Sequence, residues 1–280
     1  MITLENVSFS YRRGAEALRG VSARIGEGVH LLLGENGAGK TTLLHVMAGM
    51  LYPSEGKCSI DGVDTSLRLP LTQQRVFLLG DEMVFPARTI NEFRSIHSQF
   101  YPTFSQEMLE SALSAFGMTG DEPLDRMSLG TRKKAHIAYA LSLRVPVLLL
   151  DEPANGLDID SRKILRRLMS ECISPEQTVV VSTHSVVDFG PLYDGVLVLH
   201  RSGLILAMTT MAILSRLAFP VTPVRPDDAL YVEQELGVYR SIVPNEDSDP
   251  MTDIDYALLY SALMSRQSDE ILNRLNRDSR

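Results

Sequence analysis

The sequence predicts an α/β fold: a mainly parallel sheet flanked by helices, with an N-terminal antiparallel β part and an inserted helical subdomain. Three observations lead there. A glycine-rich loop, Gly34-Glu35-Asn36-Gly37-Ala38-Gly39-Lys40-Thr41, joins the apolar run Val29 to Leu33 to a helix-like stretch from Thr41 to Met47. Strand-like runs at Val147 to Leu150, Thr178 to Val181 and Val196 to Leu199 enclose helical periodicity at Ser161 to Cys172, the alternation expected of parallel strands covered on both faces. Over about residues 91–144 helical spacing replaces strand texture, with Met108, Leu109, Ala112, Leu113 and Phe116 on one face.

Taken in order, Ile2 to Val7, Ala23 to Ile25 and Val29 to Leu33 are short apolar strands punctuated by Gly14, Gly20, Gly26 and Gly28. Cys58-Ser59-Ile60 followed by Asp61-Gly62 reads as a strand and turn, and Arg75 to Leu79 as a buried strand. His200-Arg201-Ser202-Gly203 reads as a hairpin turn into Leu204 to Ala207. Past Phe219 the prolines Pro220, Pro223 and Pro226 mark a break before a distinct tail. Acidic Asn245 to Asp249 is expected as a solvated loop, and Ile254 to Met264 as a terminal helix capped by Thr252.

Composition narrows the function classes. The chain has 280 residues, 44% of them hydrophobic, and 27 basic against 35 acidic side chains leave a net charge of −8. That balance, with no long basic run, disfavours broad binding to nucleic acid or anionic membranes. Cys58 and Cys172 lack zinc-ligand spacing and read as reduced thiols of a cytosolic protein. The start has no secretion-signal pattern. The apolar runs are strand-length, well short of the roughly 20 residues that cross a bilayer, so a membrane role is expected only through a partner.

The loop fits G-x-x-x-x-G-K-[ST], in the strand-then-helix context that a P-loop NTPase core requires. Glycines let the N–H groups of residues 34–39 turn inward around an anion, and the helix N-terminus adds positive dipole there. Lys40 then offers a cation to the outer phosphates, Thr41 a hydroxyl to Mg²⁺, and Thr42 follows beside them. Asp151 closes a buried strand, the edge where open α/β sheets place ligands, and is positioned to hold Mg²⁺, through water, opposite Thr41. Glu152 is expected to direct a water at the γ-phosphate, or else to serve as a carboxylate at a helix start. His184 follows the strand Thr178 to Val181 and is expected to contact the γ-phosphate and organise that water. Tyr11 lies at a distance suited to stacking on adenine, or to packing.

Together these residues make the chain resemble the ATP-binding subunit of ABC transporters, from about Ile2 to Ala218. Met127-Ser128-Leu129-Gly130-Thr131 is similar to that family's L-S-G-G-Q motif; Ser128 and Gly130 match, while Leu129 and Thr131 do not. The resemblance implies that Ser128 and Gly130 bind the γ-phosphate held by another subunit, a role compatible with Ser128 acting as a helix cap. Asn155-Gly156-Leu157-Asp158 looks like the family's D-loop, with Asp158 matching its aspartate and communicating between subunits. Residues 91–144 correspond to the subdomain that touches the membrane partner. One departure concerns the glutamine expected after the strand ending at Leu79, because Gly80 stands there. Its loss puts hydrolysis rate and coupling in question, and Asp81 is a candidate replacement as a Mg²⁺ ligand.

The resemblance implies a domain over 1–218 and an extension over 219–280. The extension begins its helix in a way similar to export-type subunits, or simply closes the sheet edge. It further implies ATP and Mg²⁺ as cofactors, a homodimer or heterodimer with a second ATP-binding subunit, and an integral membrane permease as partner. No nucleic-acid partner is expected. The chain would then lie on the cytoplasmic face of the membrane and power an exporter. The competing readings are a soluble ABC-type ATPase of another pathway and a nucleotide-binding regulator with weak hydrolysis.

Overall fold

Five parallel strands with both faces buried position everything else. The computed structural model describes residues 1–12, 14, 16–82, 84–184, 192–245 and 253–276. The N-terminal half contains β1 (Ile2–Ser10), β2 (Glu16–Ile25), β3 (Gly28–Leu33), α1 (Lys40–Met47), β4 (Glu55–Ile60), β5 (Val63–Asp64), α2 (Pro70–Gln73) and β6 (Val76–Leu79). The helical part contains α3 (Ile90–His97), α4 (Gln106–Ala115) and α5 (Leu129–Ser142), and the chain returns through β7 (Val147–Asp151), α6 (Ile159–Cys172), β8 (Thr178–Ser182), β9 (Gly195–His200) and β10 (Gly203–Thr209). The end of the chain forms α7 (Thr210–Leu214), β11 (Leu217–Ala218), β12 (Val221–Thr222), β13 (Tyr231–Glu235), β14 (Val238–Pro244), α8 (Tyr256–Leu263) and α9 (Ser268–Leu275).

The central sheet runs β10-β9-β3-β8-β7-β6; β9, β3, β8, β7 and β6 are parallel, and β10 pairs antiparallel to β9. Its side chains alternate between two cores, as the period of a strand requires. Leu31, Phe77, Leu148, Val181 and Val198 face one core, against the helical part. Leu32, Leu78, Leu149, Val180 and Leu197 face the other, against α1 and the N-terminal sheet. That sheet is antiparallel, in the order β2-β1-β4-β5. The two sheets are tied where Arg19 donates its N–H to the Ser202 carbonyl at 2.8 Å and the Ser202 hydroxyl donates to the Glu16 carbonyl at 2.8 Å.

Among the described residues no strand lies between Leu79 and Val147, so the expected helical stretch is helical. Its helices start on side-chain caps: Thr89 accepts from the Glu92 N–H, Ser105 from the Met108 N–H and Ser128 from the Thr131 N–H. An aromatic stack joins α3 to α5, with Phe85 lying 4.2 Å from Phe93 and 4.1 Å from His136, ring centre to ring centre.

The tail differs from the expectation in two ways. Its helix α8 begins at Tyr256, where Asp255 is the cap and accepts the Leu258 N–H at 3.0 Å. Thr252 and the acidic residues 246–249 lie outside the described residues. It also contains strands, with β11, β12 and β13 all pairing with β14. Their pattern is weak in the sequence because Glu233, Gln234, Glu235 and Arg240 leave few consecutive apolar positions. The tail shares the helical-side core through Ile242, Tyr256, Leu259 and Ile271, and Tyr256 meets Tyr193 edge-on at 5.4 Å.

Buried imidazoles make this core sensitive to acid. His136 has a buried Nε2 without a partner, and burial first, then Arg132 and Lys133, pull its pKa from 6.5 to about 4. Burial lowers His30 and His97 as well. As pH falls below 6.5 the unfolded chain takes up protons that folded His136 refuses until about pH 4, so stability is full above that window and is lost on descending through it. Thermal melts should show a lower midpoint at pH 5 than at pH 7. His136→Phe, which keeps the stack on Phe85, should remove about 1–3 kcal/mol of that loss.

Candidate active site

Strand ends supply the groups. β3 ends at Leu33 and the chain turns through residues 34–39 into α1, for which Gly39 is the N-cap with φ of +104°. Only glycine fits there: a Cβ would lie 2.3 Å from the Ala17 carbonyl oxygen. The Ala38 N–H donates to the Glu35 carbonyl at 3.1 Å, and the buried Lys40 folds back so that Nζ donates to the Gly34 carbonyl at 2.7 Å. A cleft of about 470 Å³ opens over this loop, walled by Tyr11, Glu16, Ala17, Glu35, Asn36, Gly37, Gly39, Lys40, Thr41, Thr42, Asp81, Asp151 and Glu152.

At the end of β7, Asp151 is 4% exposed. Its carboxylate accepts from the Thr41 hydroxyl at 2.7 Å and from the Ser182 hydroxyl. Two neutral donors thus replace the water that a buried carboxylate would otherwise need. A hydroxyl and one carboxylate oxygen beside a phosphate loop suit Mg²⁺, which keeps waters and takes few protein ligands. No group of three acidic, His or Cys side chains able to hold a metal occurs among the described residues.

Glu152 has φ of +48°, left-handed for a residue with a side chain. Its N–H donates to the Ser182 carbonyl and to Ser182 Oγ, both at 3.1 Å. Its carboxylate meets His184 Nδ1 at 2.8 Å and lies 4.0 Å from Lys40 Nζ. The structure therefore brings Lys40, Thr41, Asp151, Glu152 and His184 to one place. The Tyr11 hydroxyl shares a 3.1 Å hydrogen bond with Thr42 Oγ1, and its half-exposed ring meets Phe9 edge-on at 4.9 Å.

Ser128, Gly130 and Asp158 are not on the walls of this cleft. Ser128 caps α5, accepting the Thr131 N–H at 3.2 Å. Gly130 packs so closely that a Cβ would lie 2.7 Å from the Gly156 carbonyl oxygen. Asp158 caps α6, accepting the Ser161 N–H at 2.8 Å and an Nζ–H of Lys134 at 3.1 Å. The Ser161 backbone and hydroxyl, then Lys134, hold its carboxyl well below the usual range. Gly80 leaves the glutamine position open, with nothing within 4 Å of an added Cβ. Asp81 does reach the cleft, but its carboxylate is bound by Lys133 Nζ at 2.5 Å and by Asn155 Nδ2 at 3.1 Å.

A phosphate loop facing a buried aspartate, a glutamate and a histidine across parallel strand ends defines an ATPase of the P-loop class. The ABC transporter family matches residues 18–155. The ABC transporter ATP-binding protein NatA of Bacillus subtilis is 33% identical over 216 residues, 73% of this chain and 88% of that protein. The energy-coupling factor transporter ATP-binding protein EcfA of Methanosphaera stadtmanae is 31% identical over 206 residues, 69% of this chain and 73% of that protein. A solved dimeric ATP-binding cassette in a post-hydrolysis state with ADP and Pi shares the fold. Its TM-score is 0.61 at 24% identity, over 75% of this chain and 98% of that one. The chain belongs to the ATP-binding, ATP-hydrolysing subunits of ABC transporters.

Sequence reasoning missed Ser182 and Lys133. Ser182 stood in the segment Ser182-Thr183-His184, after the strand Thr178 to Val181, with no role assigned to it. Lys133 carried a signal: Arg132-Lys133-Lys134 sits near a helix N-terminus, where the dipole disfavours cations, so an acidic partner was needed.

Gly39→Ala should abolish ATP binding in a fluorescent-nucleotide titration and lower stability by about 2 kcal/mol or more, since it adds a clash to a left-handed backbone. Gly37→Ala, with φ of +84° and nothing within 4 Å of the new Cβ, should cost only about 1 kcal/mol in a denaturant melt.

Proposed function

We propose that this chain hydrolyses ATP to drive a separate membrane permease, pairing head to tail with itself or a close relative. The observation that carries the reading is the Glu152 carboxylate, held between His184 at 2.8 Å and Lys40 at 4.0 Å over the phosphate loop. In it, Lys40 and the N–H groups of residues 34–39 bind the phosphates, and Tyr11 carries the adenine. Glu152 accepts a proton from the attacking water, and His184 fixes the Glu152 carboxylate and donates to the γ-phosphate. Thr41 and Asp151 would hold Mg²⁺, which neutralises phosphate charge when bound.

The dimer is supported by where the remaining motif residues sit. Ser128 and Gly130 lie off their own chain's cleft, beside Leu129, which is 77% exposed. They are free to face the nucleotide of a second copy, and a helix start with its N–H groups suits that task. ATP between two copies favours the closed pair only through its greater affinity for that state, and loss of the γ-phosphate releases it.

Among the described residues no helix is long and apolar enough to cross a membrane. The proposal assigns the solute's path to a permease and, with it, a seat for this chain on the permease's cytoplasmic side. Export as the direction rests on the likeness of Thr252-Asp253-Ile254-Asp255 to the ends of export-type subunits.

Glu152→Gln should lower turnover by about 10²–10³-fold and accumulate ATP-bound dimers on size exclusion; a variant that retains turnover or stays monomeric with ATP overturns the reading. Purified from native membranes, the chain should bring down an integral membrane permease. In inverted vesicles carrying both, external ATP should drive solute into the lumen, and loss of solute from the lumen would refute export.

A further inference from the structure

Lys133 ties the start of α5 to the backbone of Glu152. Its side chain is 10% exposed, and Nζ donates to Asp81 Oδ1 at 2.5 Å and to the Glu152 carbonyl oxygen at 2.5 Å. The same carbonyl accepts the Asn155 N–H at 3.1 Å, while Asn155 Nδ2 donates to Asp81 Oδ2 at 3.1 Å. A closed network thus joins the loop after β6, the first turns of α5 and the segment that follows Asp151.

We propose that Lys133 is a positioning residue for Glu152, held in place by Asp81 and Asn155. Glu152 sits at φ of +48°, a conformation that residues with a Cβ resist unless their surroundings hold it. Ser182 holds the peptide on its N-terminal side and Lys133 the carbonyl on its C-terminal side. Carboxylate placement follows from that backbone, and displacement of a catalytic group by about 1 Å can cost up to about 10²-fold in rate.

The charges explain why the lysine stays. Near a helix N-terminus the dipole opposes an ammonium group, and little water reaches this one, so Asp81 supplies the compensating charge. Asp81 therefore acts through Lys133 instead of through a metal ion. Lys133 also lies in the same helix start as Ser128 and Gly130, so movement of that start on meeting a second nucleotide would be felt at Glu152.

The inference rests on the hydrolytic reading of Glu152, and two readouts separate them. In the full chain, Lys133→Met should lower kcat about tenfold with KM for ATP changed by less than about twofold. Lys133→Arg should recover most of the loss, and Asp81→Asn should fall between. Hydrogen exchange at the Asn155 amide, bonded to the Glu152 carbonyl, should quicken in Lys133→Met and Asp81→Asn. Unchanged exchange in both variants overturns the proposal whatever turnover does. Quickened exchange with unchanged kcat, in a protein that Glu152→Gln inactivates, overturns it too. If Glu152→Gln stays active, the hydrolytic reading fails, while exchange still decides whether Lys133 holds the segment. Should Lys133→Met not fold, Asp81→Asn carries the same readings.

Discussion

Ser182 pairs with Leu32 of β3 on one side and with Asp151 of β7 on the other, and from that register the functional geometry follows. Three strands end level, so the phosphate loop, the Asp151-Glu152 pair and Thr183-His184 leave the sheet side by side. The register is enforced by the two cores, because a slip of one residue would turn Val179 and Val181 toward the face now filled by Val180. Ser182 adds a chemical lock. Its hydroxyl satisfies the buried Asp151 carboxylate, and its carbonyl and hydroxyl both take the Glu152 N–H. A slipped register would bury the carboxylate without its donors, at a cost of several kcal/mol.

The cores explain which parts of the fold were legible. Strands buried on both faces must be apolar throughout, so Val147 to Leu150 and Thr178 to Val181 stand out in the sequence. The N-terminal strands are half-exposed and polar at alternate positions. Their full extent, Ile2–Ser10 and Glu16–Ile25, is longer than their apolar residues suggest. In the tail, β13 carries Glu233, Gln234 and Glu235 in succession and β14 has Ser241 and Arg240 between its apolar residues; both gain their stability by pairing with each other and resting on a core made elsewhere. Pairing of that kind is tertiary and leaves little local trace.

Much of the candidate site was legible for a related reason. Phosphate chemistry needs small residues at fixed turns and polar groups at strand ends, and both interrupt an apolar pattern visibly. Gly34, Glu35 and Asn36 break the run after Leu33, and Asp151 and Glu152 break the run after Leu150. The glutamate's conformation was hidden, because a left-handed φ is set by bonds from Ser182 and Lys133, distant in sequence. Tyr260 of α8 is a further case. Burial first, then the Glu35 carboxylate, raise its hydroxyl's pKa, which places the tail beside the phosphate loop. Nothing in the run Tyr256 to Leu263 announces that neighbour.

Two cavities meet at Asp81. One is the cleft over the phosphate loop; the other, about 450 Å³, lies between the end of β6, the start of α5 and Asn155-Gly156. Gly130 and Gly156 close the floor of the second by backbone contact, and neither can take a side chain without cost, one for want of space and the other because its φ is +76°. Lys134 reaches Asp158 across the same seam, although that pair is exposed enough for solvent to weaken it. What joins α5 to the segment after β7 is therefore glycine packing plus the buried Lys133 network, with the surface pair contributing little. Because packed elements shift between discrete arrangements more readily than they deform, a seam of this kind is suited to carry a displacement of α5 to Glu152.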